Sequence, residues 1–321
     1  MHKLKCAVIG AGYLGRFHAQ KYQLLEDVEL IAICDVNSNT CTTVANELHV
    51  AAYLDYHELL NSVDAVSIAA TTTAHYEIAK QFLQNGIHVL LEKPMTETIA
   101  QAEELIALAK KHNAKLQIGH LERFNAARLA LTTHIHEPLF IESHRLAPFN
   151  PRGADVNVIL DLMIHDIDII QTLVHSKIQH IAAQGAPILS QSIDIANARI
   201  TFANRCVANV TASRISFKTE RKTRIFQKDT YISIDYQNKQ FAVFEKGSGE
   251  MFPGIPDVIR HQSVFEQSDA LLEEIKAFIH CIRNDTTPIV SGEEGCAALT
   301  TAETITALIN DDLQIRNANI N

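Results

Sequence analysis

The chain has no tryptophan, and aromatic residues make up only 6% of its 321 positions. Proline (8) and glycine (12) are scarce, about half of the residues are apolar and a fifth are charged, which is the composition of a soluble globular protein. The length suits one large domain or two ordinary ones. Its six cysteines, Cys6, Cys34, Cys41, Cys206, Cys281 and Cys296, never form a CxxC pair. In a chain of this size they are expected to be reduced, mostly buried thiols of a cytoplasmic protein. No stretch reaches the ~18 uninterrupted apolar residues of a membrane helix, so no membrane association is expected. The opening MHKLKCAVIGAG has no apolar segment followed by a small-residue cleavage site, and is not expected to be a signal peptide. Basic charge is also short. Lys and Arg number 28 against 37 Asp and Glu, a formal charge of −9, the wrong sign for a nucleic-acid-binding protein.

What is present is rhythm. Through residue 120, apolar runs alternate with helical periodicity. Strands are predicted at 5–10, 28–35, 65–71, 87–93 and 115–120, and helices at 14–25, 40–49, 75–86 and 98–113. Continuous apolar strands separated by helices predict a parallel sheet covered on both faces. Beyond 121 the pattern changes. One clear helix (156–174) precedes strand-like runs, with FANRC and YQNKQ reading as hairpin turns that place Asn at the bend. These predict an antiparallel meander, followed by helices at 269–284 and 293–310. The division is therefore residues 1–120, a doubly wound α/β domain, and 121–321, an α+β domain.

The first strand ends in GAGYLG, with Gly10, Gly12 and Gly15 in G-x-G-x-x-G spacing around Tyr13 and Leu14. Placed between a strand and a helix, it is the dinucleotide-binding turn: Gly10 for the tight bend, Gly12 for close approach of a pyrophosphate, Gly15 for helix–strand packing. Asp35 closes the second strand, twenty residues past Gly15. A carboxylate there holds both ribose hydroxyls of NAD and repels the 2′-phosphate of NADP. The loop ATTTAH follows the strand at 65–71 and offers Thr71, Thr72 and His75 to the same edge of the sheet; His75 reads equally as a helix-start residue with no ligand.

The strand at 87–93 ends in LLEKPM. Lys93 there is directed to the cofactor crevice, where desolvation makes a lysine a usable proton donor or acceptor; by itself the stretch reads equally as a surface Lys-Pro turn at a strand end. Glu92 is positioned to orient it, and Pro94 fixes the local backbone. The helix VNVILDLMIHDIDIIQTLV carries Asp161 and His165 four residues apart, roughly 40° around a regular helix, with Asp168 continuing the stripe and Asp166 pointing elsewhere. A carboxylate one turn from a histidine tunes its basicity. As metal ligands the pair lacks a third member, so no metal is expected.

Taken together, AVIGAGYLGRFHA, ATTTAHYEIA, LLEKPM and DLMIHDID resemble the Gfo/Idh/MocA oxidoreductases (the glucose–fructose oxidoreductase, inositol dehydrogenase and rhizopine catabolism family), in order and spacing over nearly the whole chain. The resemblance implies an N-terminal Rossmann domain and a C-terminal domain with a large open sheet, mostly antiparallel, whose free face makes dimer or tetramer contacts. It implies Lys93, Asp161 and His165 as catalytic residues. They would act in oxidation of a secondary sugar hydroxyl by NAD, with His165 or Lys93 as the base. Family members often carry Pro-Asn where this chain has Thr72-Thr73, which leaves the contacts of that loop open. IGHLERFNAA, RLAPFNPRGADVNVILDLMIHDID and SRISFKTERKTRIF are similar to the branch that acts on UDP-sugars at C3. The resemblance implies UDP-N-acetylglucosamine or its uronic acid as substrate, with the 3-keto product then aminated by a partner aminotransferase in lipopolysaccharide biosynthesis. A diphosphate needs cations. Arg123, Arg145, Arg152, Arg214 and Arg221 are the candidates, with Arg123 first, and Asp168 is grouped with them as substrate-binding. A free polyol such as inositol is the alternative substrate, and a non-catalytic dinucleotide-sensing regulator the remote one.

Overall fold

The computed structural model describes residues 3–150, 156–265 and 268–318. Arg152 lies outside the described residues. Two compact units form, Met1–Leu121 with Asp269–Ala297, and Glu122–Ser268 with Ala298–Asn321. The first is thus completed by a later stretch of chain, not closed by a single cut near residue 120.

In the first unit, strands β1 (Leu4–Ile9), β2 (Val28–Cys34), β3 (Ala51–Tyr53), β4 (Ala65–Ile68), β5 (His88–Glu92) and β6 (Leu116–Gly119) make one sheet, with order 3-2-1-4-5-6. Every pairing is parallel. β4 and β6 are buried at every residue, the pattern of strands covered on both faces. Helices α1 (Tyr13–Tyr22), α2 (Ser38–Leu48), α3 (Thr72–Gln84) and α4 (Ile99–Lys111) connect the strands. α4 starts with a capping box, Thr98 and Gln101 each satisfying the other's backbone N–H. The later helix Ala270–Asn284, capped by the Asp269 side chain on Leu272 N at 3.0 Å, adds Ile275 and Phe278 to a core with Tyr22, Ile33 and Leu90. The strand order reverses between β1 and β4, which places a ligand crevice at the carboxyl ends of those two strands.

In the second unit, β7 (Phe140–Leu146), β8 (Ile178–Ala186), β9 (Ile195–Phe202), β10 (Val207–Ser213), β11 (Glu220–Gln227), β12 (Thr230–Asp235), β13 (Gln240–Phe252) and β14 (Ile255–Val264) form a sheet of order 14-13-12-11-7-10-9-8. It is not a simple meander. Residues 140–146, which the sequence pattern leaves unassigned, insert at its centre, and β7 pairs parallel with β10 while all other pairs are antiparallel. The two hairpin bends fall one residue beyond the expected asparagines. Arg205 (φ 69°) and Lys239 (φ 49°) take the left-handed conformation, whereas Asn204 uses its side chain to accept from Cys206 N at 3.1 Å.

Alternate residues of β9 and β10 are buried, so one face of the sheet is covered. The cover includes a single turn α5 (Ala126–Leu129) and the helix α6 (Ile164–Val174), whose Ile164, Ile167 and Ile170 join Ile200, Val210 and Ile225 in the core. The helix predicted over 156–174 is not regular. Residues Ile159–Met163 form a π-helical turn before α6 begins. Asn157 starts that turn, its Oδ1 accepting from Ile159 N and Leu160 N, both at 3.0 Å. Among the described residues no helix is long and apolar enough to cross a membrane, and all six cysteines are free thiols.

Candidate functional site

At Gly10 and Gly15 the backbone geometry requires glycine. A Cβ on Gly15 would lie 1.8 Å from the Gly10 carbonyl oxygen, so only glycine lets α1 approach β1 this closely. Gly10 has φ +95°, and a Cβ there would meet Ala69 O at 2.6 Å. Gly12 faces open space, with nothing within 4 Å of a Cβ. As N-cap of α1 it supplies no side-chain hydrogen bond. Thr71, N-cap of α3, makes no side-chain cap bond either. Two helix N-termini without side-chain caps thus meet one crevice, where their amides and dipoles suit a pyrophosphate.

That crevice is a groove of about 540 Å³ lined by Gly10, Gly12, Asp35, Tyr56, Thr71 and Glu77, among others. The Asp35 carboxylate is fixed by two backbone donors, Ala11 N at 2.6 Å and Asn37 N at 2.8 Å. A carboxylate has further lone pairs for ribose hydroxyls. None of the described lining residues is basic. Thr73 lines the groove where Thr72 was expected, together with Ala74, Glu77 and Ile78. These four follow i, i+1, i+4, i+5 spacing and therefore share one face of α3. That periodicity was the available signal. Tyr56 had none in the motifs. The residues present fit a nicotinamide dinucleotide, with pyrophosphate at the glycine turn and ribose at Asp35.

Tyr13, Leu14 and His75, expected as cofactor contacts, have these surroundings in the fold. Tyr13 is 75% exposed and sits edge-on to Phe17, ring centroids 4.9 Å apart. Leu14 is half-buried on α1. His75 is buried, and its ring nitrogens lie 2.9 Å from Pro94 O and 3.1 Å from Ala70 O. It braces the loop after β4 against the loop after β5 and is absent from the groove wall. Burial lowers its pKa, against the two carbonyls that favour a charged ring.

Glu92 does not pair with the Lys93 side chain along the edge of the sheet. Successive strand residues point to opposite faces, and Glu92 turns into the interior, where its Oε1 meets His18 Nε2 at 3.0 Å. The space it needs exists because residue 119, opposite it in β6, is glycine, whose Cβ would fall 2.8 Å from that carboxylate. His18 Nδ1 lies 3.2 Å from Ser67 Oγ, which in turn meets Tyr22 OH at 2.8 Å. Glu274 completes the group. His18, Glu92 and Glu274 each bring a ligand-type atom within 4.8 Å of the others, all three buried. Neither carboxyl oxygen of Glu274 has a hydrogen-bond partner among the described residues. Burial first, then the charge of Glu92, push its pKa well above the carboxylate range. A neutral Glu274 avoids a second buried negative charge beside Glu92. Lys93, half-buried, leads into the cis Lys93–Pro94 bond.

In the second unit, Asp161 lies in the π-helical turn and His165 in the first turn of α6, both half-buried and so reachable. π-turns inside helices are frequent at functional sites. The extra residue alters the regular i, i+4 angle assumed from the sequence. Asp168, three residues past His165 in the regular part of α6, is buried where His165 is half-buried. It is 2% exposed and takes a bidentate pair from Arg123, Nε at 2.7 Å and Nη2 at 3.1 Å. Arg145 is bound in the same way to Asp166 (Nε–Oδ2 2.7 Å), with Glu122 at 2.9 Å. Arg214 donates to Asp194 at 2.8 Å, to Val156 O at 2.7 Å and to Ser192 Oγ at 2.7 Å. Burial raises the pKa of Asp194, but the N–H groups of Ser190, Ile188 and Leu189 and the Arg214 guanidinium outweigh it and hold the carboxyl well below its usual range. Arg123, Arg214 and Asp168, expected at the substrate, are thus engaged in buried ion pairs inside the unit. Isolated arginine positions in a sequence do not reveal which carboxylates the fold will bring to them.

Residues 4–120 match the oxidoreductase family with NAD-binding Rossmann fold, and 129–233 the GFO/IDH/MocA C-terminal domain. The UDP-N-acetylglucosamine 3-dehydrogenase of Acidithiobacillus ferrooxidans is 36% identical over 98% of this chain and 100% of its own. Its solved structure superposes with a TM-score of 0.92, at 36% identity and the same coverage. The myo-inositol 2-dehydrogenase of Thermotoga maritima is 26% identical over 92% of this chain and 93% of its own. The glycine turn packed on β1, the carboxylate that closes β2, and the full-length match lead to one conclusion: the chain belongs to the Gfo/Idh/MocA family of oxidoreductases with an NAD-binding Rossmann fold.

Proposed function

We propose that the protein oxidises a secondary hydroxyl of a sugar nucleotide with NAD, most simply C3 of UDP-N-acetylglucosamine or a closely related UDP-sugar. The observation that carries this reading is the 36% identity over 98% of the chain to a UDP-N-acetylglucosamine 3-dehydrogenase, against 26% for the inositol enzyme. NAD over NADP is supported by a groove with Asp35 and Glu77 on its wall and no basic side chain among its described lining residues. A 2′-phosphate would meet two acids there and no cation.

When bound, the nicotinamide ring supplies a hydride acceptor. The chain's part is to hold the sugar and to move the hydroxyl proton. Lys93 and His165 are the two candidates for base, both half-buried, and Asp161, near His165 in sequence, is proposed to orient it. The 3-keto sugar formed is an electrophile suited to transamination. An aminotransferase that consumes it, in the cytoplasm and on the way to lipopolysaccharide, is the proposed partner. Assembly as a dimer or tetramer through the uncovered sheet face is part of the same reading.

The test follows NADH absorbance and binding heat with UDP-N-acetylglucosamine, UDP and myo-inositol. The expected outcome is binding of UDP and the UDP-sugar, NADH only from the sugar, and preference for NAD over NADP. Lys93→Ala and His165→Ala should still bind but lose about 10²–10⁴ in kcat, the range of general acid–base catalysis; the larger loss marks the base. Turnover of myo-inositol with no nucleotide binding would instead support the second reading, a free-polyol dehydrogenase, which the 26% identity to the inositol enzyme favours.

A further inference from the structure

Five arginines stand in the segments that would meet an anionic substrate. Arg152 lies outside the described residues. Arg123, Arg145 and Arg214 are at most 5% exposed and bound to buried carboxylates. Arg221 differs. Its side chain is 47% exposed, and Glu122 Oε1, a carboxylate it faces, is 3.8 Å away. That oxygen already accepts from Arg145 Nη1 at 2.9 Å, so Arg221 is left with a second-hand share of one charge.

Its position explains why this matters. On β11, Thr223 and Ile225 are buried on the helix-covered face. Arg221 belongs to the same alternation and stands at the end of that face, where the cover stops. In the antiparallel register it is directly opposite Arg145 of β7. Like charges opposite each other on neighbouring strands repel. Burial first, and then Arg145, lower the pKa of Arg221, while Glu122, Asp166 and Asp161 oppose them. Asp161, one of the catalytic candidates, is thus within electrostatic reach of this guanidinium. A half-exposed arginine facing a buried arginine, beside the reacting helix, gains most from an incoming anion. A planar guanidinium fits an oxyanion bidentately.

We infer that Arg221 is a specificity-determining residue that grips an anionic group of the substrate, a phosphate of a nucleotide diphosphate or a sugar carboxylate, and that it selects charged sugars over neutral polyols. This rests on the sugar-nucleotide reading above. Arg221 acts in binding and takes no part in proton or hydride transfer. Its loss should therefore appear in KM and leave kcat largely intact.

The experiment compares wild type, Arg221→Met and Arg221→Lys with NAD and three ligands: UDP, UDP-N-acetylglucosamine and its uronic acid. In Arg221→Met, KM for at least one of the two UDP-sugars should rise at least 30-fold with kcat within threefold. Arg221→Lys should recover part of the loss, and the salt dependence of the wild-type KM should flatten in the Met variant. If UDP affinity falls in parallel, the anion is the phosphate. If UDP binds unchanged and only the uronic acid suffers, it is the carboxylate. Equal KM for wild type and Arg221→Met on both UDP-sugars and equal affinity for UDP, at normal turnover, overturns this inference alone. A wild type that binds no UDP and oxidises only neutral polyols overturns both this inference and the sugar-nucleotide reading. Should the Met variant fail to fold, a wild-type KM insensitive to salt still counts against an exposed cation at the substrate.

Discussion

Glu274 shows how one residue can be legible in identity and illegible in role. In the sequence it is one of several acids of an amphipathic helix; in the fold both of its carboxyl oxygens are buried without a hydrogen-bond partner among the described residues. Burial, and then Glu92, raise its pKa well above the ordinary 4.5. The sign follows directly. The folded protein keeps the proton while the unfolded chain releases it above 4.5, so this contribution is intact below that pH and is lost as pH rises toward the folded value. Glu274→Gln cannot titrate. The two proteins should melt alike near pH 4.5, and the Gln variant should become the more stable one as pH rises, by up to about 1.4 kcal/mol per pH unit. Parallel melting curves of both proteins from pH 5 to 8 would sink the idea of a neutral Glu274. Lys93 and His165 differ from it: motif and spacing single them out in the sequence, and both are half-buried in the fold.

At the scale of elements, the β1–α1 turn separates two jobs that the glycines share in one motif. Gly15 serves packing, since its Cβ would stand 1.8 Å from Gly10 O; Gly12 has no such contact, with nothing within 4 Å among the described residues, which leaves its backbone open to the proposed pyrophosphate. Gly15→Ala is expected to cost about 1–3 kcal/mol or more of stability, as overpacking does. Gly12→Ala, at φ −64°, should melt like wild type yet bind NAD at least tenfold more weakly. Thermal melts with and without NAD check both, because a bound ligand raises the melting temperature by mass action. If Gly12→Ala binds NAD normally, the pyrophosphate does not pass over that residue. The parallel sheet was legible because uniformly apolar strands have no exposed face to confuse the pattern. β7 was not. FIESHRL buries only alternate residues, and its place between β11 and β10 comes from long-range pairing that no local window contains. The π-turn at Ile159–Met163 escaped for a similar reason: one extra residue per turn leaves helical periodicity nearly intact while rotating Asp161.

For the whole molecule, the open sheet is the feature that local reasoning anticipates in kind and not in detail. Its outer face carries a cross-strand row of rings: Phe140–Phe226 (5.8 Å), Phe226–Tyr231 (5.0 Å) and Tyr231–Phe244 (5.4 Å), with Arg260 over Phe244. Such a row of aromatic surface suits a second copy of the chain better than water. Tyr231→Lys is expected to lower the mass measured by light scattering toward the single chain, with NAD binding unchanged. An unaltered mass would direct the search to another surface.

The sequence by itself determined the α/β alternation, the glycine turn with its acid, and the candidate residues Lys93, Asp161 and His165, because each rests on short-range chemistry: period, turn geometry and strand ends. Tertiary structure alone decided what the charged residues do. It set Arg123 on Asp168, Arg214 on Asp194 and Glu92 on His18, and left Arg221 half-exposed opposite Arg145. The reason is physical. A buried charge is stable only beside its partner, and these partners, 20 to 74 residues away along the chain, are brought together by packing and by nothing in the local sequence.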